Sequence, residues 1–143
     1  MFMTERPNLL ADMKNKAGSG VRIRILFGQR DSAAVIQRST DERIGPRTIS
    51  AKIDHVLAHF APLMNIPGIE IQLHGTVLYN SIYRFDDEMI VNPHVYGKIA
   101  SHAPSLHLKK FTTGSGDLFN IYAESLTQYG TEQRRMPKEG LLR

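Results

Sequence analysis

Short stretches of helical and strand periodicity alternate along this chain. Leu9, Leu10, Met13 and Ala17 recur at helical spacing behind Pro7, and Gly18 and Gly20 follow, which predicts a first helix opened by proline and stopped by glycine. From Val21 to Phe27 apolar and basic residues alternate with period two, so a strand is expected there, with Arg22 and Arg24 on one face and Gly28 at its end. Asp31-Ser32 can cap a helix to about Arg38, and Ile49, Ile53, Val56, Leu57 and Phe60 share one face of a longer helix from about Thr48 to Met64. The stretch between them, 39–47, reads as a loop. After the Pro67-Gly68 turn, strands are expected over 69–73, 77–85, 89–95 and 105–111. Beyond Gly114-Ser115-Gly116 a last helix is expected from Asp117 to about Tyr129, with Leu118, Tyr122, Leu126 and Tyr129 as its inward stripe. Helices interleaved with early strands, then clustered strands, predict an α/β fold in which a mixed sheet is flanked by helices. Residues 1–129 read as one domain. Residues 130–143, with Arg134, Arg135, Lys138 and Arg143 and no apolar period, read as a mobile basic tail.

Composition narrows the classes without choosing among them. A chain of 143 residues with 41% hydrophobic and 22% charged residues is large enough for one core of ordinary size. The absence of cysteine excludes disulfides and thiolate metal sites. No apolar run approaches the roughly 18 residues of a spanning helix, and MFMTERPN turns polar at once, unlike a secretory leader. A cytoplasmic protein with no membrane partner is therefore expected. The net charge of +4 favours phosphates weakly, but 18 basic residues interleave with 14 acidic ones, so charge alone gives nucleic-acid binding little support.

The richest segment is His74 to Gly97, HGTVLYNSIYRFDDEMIVNPHVYG. It has the layout of a strand, a tight acidic turn at Asp86-Asp87-Glu88, and a second strand running into an Asn-Pro-His turn. Together with Gly20-Val-Arg-Ile-Arg-Ile-Leu26, Pro67-Gly-Ile-Glu-Ile71, Leu78-Tyr-Asn-Ser-Ile-Tyr-Arg-Phe-Asp-Asp-Glu-Met89 and His94-Val-Tyr-Gly97, it resembles a phospholipase-D-like domain. Bacteria commonly fuse that domain behind a helix-turn-helix in transcription regulators, and the resemblance runs from about Pro7 to Tyr129. Two departures stand out. No helix-turn-helix precedes the domain, and the further strand that related domains place ahead of the first helix is missing.

The resemblance implies a degenerate site. Where phospholipase-D-like enzymes carry His, then Lys two residues on, then Asp five further, this chain has Tyr79, Ser81 and Asp86. A phenol near pKa 10 with no evident base is a poor nucleophile at neutral pH. The implied function is thus a non-catalytic regulatory or ligand-binding module for a small anionic or phosphorylated ligand, without a cofactor, with Arg24, Tyr79, Ser81, Asp86, Asn92 and His94 as ligand contacts. Two alternatives stay open. One is a metal-independent phosphodiesterase or nuclease whose half-sites meet across a dimer, using His74 or His94; the other is a dimerisation module with a vestigial site. Strand alternation sets His74 and Tyr79 on opposite faces of an unbroken strand unless Gly75 introduces a bulge. A homodimer is expected through the motif strands or through the strand edge near the N-terminus.

Several other features have ordinary readings beside tempting ones. His55 and His59 stand four apart on a helix, as in some metal sites, but no third ligand is evident and no metal is expected. Arg22 suits a structural salt bridge, and Arg84 suits pairing with Asp86. Tyr79, Tyr83, Phe85 and Tyr96 could wall a ligand or simply be core. Gly114-Ser-Gly116 suits a helix cap better than an anion cradle.

Overall fold

The computed structural model describes residues 6–111, 117–131 and 134–135. Its elements run α1 (Leu9–Gly18), β1 (Ile23–Gly28), α2 (Ala33–Asp41), α3 (Thr48–Phe60) with a 3₁₀ turn at Ala61–Leu63, β2 (Ile69–His74), β3 (Asn80–Phe85), β4 (Glu88–Pro93), a 3₁₀ turn at Ala100–His102, β5 (Leu106–Lys109), α4 (Leu118–Thr131) and β6 (Arg134–Arg135). The chain is mixed α/β, as its periodicity predicts, but its strands form two three-stranded sheets.

In the first sheet β1 and β2 are parallel, from Ile23 opposite Ile69 to Gly28 opposite His74, and β6 pairs antiparallel with the far side of β2. A parallel pair needs a long crossover, and α2 and α3 supply it. Ser32 caps α2 by accepting from the Val35 N–H at 3.3 Å, as its position predicts. That helix then runs on to Asp41, into the segment expected to be a loop. The reason lies in Ser39, which is fully buried: its hydroxyl donates to the Val35 carbonyl and accepts from the Ile49 N–H, both at 3.3 Å. A side chain of α2 thereby caps α3, whose own preceding residue, Arg47, has φ +63 and makes no side-chain cap. Ile25, Ile69 and Ile71 pack with Ala17, Phe60 and Leu63 into the larger core.

The second sheet is an antiparallel meander, β3-β4-β5. Met89 and Val91 on β4 point inward against Phe119 of α4, flanked by Ile82, Leu108 and Tyr122. The inward stripe of α4 is therefore set one residue on from expectation at its start, with Phe119 buried and Leu118 exposed. Arg84 lies on this inner face opposite Met89, where its guanidinium sits 5.4 Å from the Phe119 ring centroid. Its Nε donates to the Asp86 carbonyl at 3.0 Å, so the bond is to the backbone of Asp86 and not to its carboxylate. The Gly114 to Gly116 turn lies outside the described residues.

Phe85 pairs with Glu88, which leaves Asp86 and Asp87 as a two-residue turn with Asp86 at φ +52. Hairpins this tight need positive φ in the turn, and aspartate tolerates it better than most side chains. Replacing Asp86 by a β-branched residue should strain that conformation by about 1–2 kcal/mol. Asp86→Val is expected to lower the denaturant midpoint at unchanged slope, while Asp86→Gly is not. Equal midpoints for the valine and wild-type chains would show that this turn does not set the hairpin.

Candidate functional site

The predicted contact residues fall on both sheets. The premise that His74 and Tyr79 share one strand does not hold, because β2 ends at His74, residues 75–79 leave the sheet, and β3 starts at Asn80 in the other sheet. The alternation argument about their faces lapses with it. Arg24 stands on β1 with its side chain 78% exposed and pairs with Glu70, its register partner on β2, at 3.6 Å. The salt bridge foreseen for Arg22 is thus formed by Arg24, on a sheet different from that of Ser81. Asp86 sits in the hairpin turn, five residues up β3 from Ser81, a separation of about 16 Å along an extended strand.

Ser81 and His94 do come together. Ser81 lies opposite Asn92 at the open end of the hairpin, and His94 follows β4 by one residue beyond Pro93. The His94 N–H donates to the Tyr79 carbonyl at 2.8 Å, which turns the chain back over β3. The imidazole then lies between two partners: Nδ1 is 2.9 Å from the Leu78 carbonyl and Nε2 is 3.1 Å from Ser81 Oγ. A carbonyl can only accept, so Nδ1 carries the proton, Nε2 presents its lone pair, and the Ser81 hydroxyl donates to it. Burial, then the nearby Arg38 guanidinium, hold the His94 pKa below 6.5, with the Leu78 bond and Glu42 acting the other way; the ring is neutral at pH 7.

Arg38 and Glu42 are the site residues that sequence reasoning missed. They stand four residues apart, Arg38 in the last turn of α2 and Glu42 just past its end, with Arg38 Nε 2.6 Å from Glu42 Oε1 and side chains 29% and 10% exposed. Their spacing signals an ion pair, but nothing local signals that it faces a histidine more than fifty residues later. Among the described residues the terminal amino groups of Arg38 have no protein partner.

Asn92 and Tyr79 serve the backbone. The Asn92 amide donates toward the carbonyls of Ala100 and Pro104, each at 3.2 Å, with Ala103 O and Ser105 Oγ at 3.4 Å, and so ties the 100–105 segment to β4. The Tyr79 phenol belongs to a 70% exposed side chain, and Tyr96 is also exposed. Tyr83 is on β3 opposite Ile90, and Phe85 is exposed near the turn. Tyr83 and Phe85, two residues apart, share one face of β3.

His74 is 4% exposed at the C-terminal end of β2, with its ring centroid 6.3 Å from that of Tyr129. Its Nδ1 donates to the Thr76 carbonyl at 3.1 Å, and the buried Nε2 has no partner among the described residues. His55 and His59 remain two histidines on one helix, and no group of three or more metal-binding side chains occurs among the described residues. No helix among those residues is long and apolar enough to cross a membrane. No family model, no curated protein and no solved structure matches this chain.

Burial lowers the His74 pKa from 6.5, with the Thr76 hydrogen bond opposing it in part. A histidine depressed in the folded state contributes stability that is full above pH 6.5 and is lost as the pH falls from there through its folded-state value. Unfolding free energies measured between pH 7.5 and 5 should therefore decline for the wild-type chain, and less steeply for His74→Gln. Parallel pH profiles for the two would mean that His74 titrates alike folded and unfolded.

Proposed function

We propose that this chain is a phospholipase-D-like binding module, working in a regulatory setting, that takes a small anionic ligand at the open end of the β3–β4 hairpin. The observation that carries this reading is Arg38, a half-buried guanidinium that Glu42 holds through Nε and whose charge acts on the neutral His94 beside Ser81. Glu42 holds Arg38 through Nε alone, so the guanidinium is oriented while its outer edge is left to an oxyanion. Arg38 replaces Arg24 as the cation, since Arg24 is engaged by Glu70 on the other sheet.

Phosphodiester cleavage fits this arrangement poorly. Of its two candidate nucleophiles, His74 is buried, and no lysine stands at the Ser81–His94 pair among the residues recorded around it. The reading includes a homodimer, because β1 and β3 are outer strands of their sheets among the described residues and open edges pair readily with a second copy.

Thermal shift against inorganic phosphate, citrate and a nucleotide panel should reveal salt-independent stabilisation for the wild-type chain. Arg38→Ala should remove it, and Arg24→Ala should leave it. A panel with no stabilisation at any concentration would leave only the vestigial-site reading. Turnover of a chromogenic phosphodiester that His74→Ala abolishes would instead establish the phosphodiesterase alternative.

A further inference from the structure

We infer that Ser81 is a nucleophile, poised by His94 to accept an acyl group from an activated carboxylic ester or thioester. This rests on the ligand-site reading for its location only; it needs the serine and the histidine and no bound anion. The Leu78 carbonyl 2.9 Å from Nδ1 fixes the tautomer that leaves Nε2 unprotonated, and that nitrogen is 3.1 Å from Ser81 Oγ. A hydroxyl donating to a neutral imidazole whose other nitrogen is held by an acceptor is the arrangement of an activated nucleophile, with a backbone carbonyl as the orienting third group. Ser81 and His94 are both partly exposed, so an ester can reach the hydroxyl.

The step balances without a redox partner. The Ser81 oxygen attacks the acyl carbon as its proton passes to His94 Nε2, and the carbonyl oxygen becomes an oxyanion. The tetrahedral intermediate collapses, the bond to the leaving oxygen or sulfur breaks, and Nε2 returns the proton to that leaving group. The products are a serine ester and a free alcohol or thiol, with His94 neutral again. The charged groups that act on His94 are Arg38 of α2 and Glu42 just past its end, beside the Leu78 carbonyl on its own side.

The test uses the full chain with p-nitrophenyl acetate, followed by intact mass and peptide mapping. One acetyl group per chain is expected on Ser81, not on exposed Ser101, and none at that position in Ser81→Ala. His94→Gln should slow acetylation of Ser81 by about 10²- to 10⁴-fold, the range for loss of a positioned general base. The wild-type rate should rise as His94 loses its proton below pH 6.5 and level off by neutrality, whereas an unassisted hydroxyl would keep accelerating with hydroxide. That profile decides the matter even if the glutamine variant fails to fold. Acetylation scattered without preference for Ser81, or a rate that climbs with pH throughout, would overturn the inference. Anion stabilisation reads Arg38 and is measured separately, so either reading can fail while the other stands.

Discussion

The register of the β3–β4 hairpin is the constraint on which the rest of this structure depends. Phe85 opposite Glu88 places Ser81 opposite Asn92, and a slip of one residue would turn every side chain of one strand to the other face. In the observed register Met89 and Val91 reach Phe119, so the second core exists only with Asp86-Asp87 at the turn. The same register sends the chain out of β4 at Pro93, where the His94 N–H finds the Tyr79 carbonyl and brings the imidazole to Ser81. Packing and the candidate site are thus two consequences of one pairing.

The elements of this fold are legible in the sequence because they are local. Alternation in Val21 to Phe27, the Ser32 cap and the acidic turn each signal their own conformation, and Leu57 and Phe60 are buried where a 3.6-residue period puts them. What is not local was not legible. Arg24 meets Glu70 because a parallel neighbour lies 46 residues on, and no periodicity records which strands share a sheet. The break after His74 likewise assigns two segments that read as neighbours to separate sheets. Ser39 ends no helix because its hydroxyl is needed in the first turn of α3, a contact across ten residues of chain.

The same distinction governs the site. Ser81 and His94 were apparent as candidates because their residue types suit the chemistry and a hairpin joins them within thirteen residues. Arg38 and Glu42 were not, since a helix-spaced ion pair has an ordinary surface reading until the tertiary fold brings it beside a histidine. Asn92 shows the opposite error. An amide on a strand next to a presumed site suggests a ligand contact, yet its donors are taken by the backbone of the 100–105 segment. Residue type sets what a side chain can do, and competition from nearby carbonyls decides what it does.

His94 is held as the Nδ1–H tautomer with its Nε2 lone pair facing Ser81. Long-range proton–nitrogen correlation of the imidazole rings at pH 7, assigned with His94→Gln, reads this tautomer. A His94 pattern with Nδ1 protonated and Nε2 unprotonated is expected, with an Nε2 shift that moves in Ser81→Ala. A His94 ring protonated at Nε2, or one averaging freely between tautomers, would contradict it.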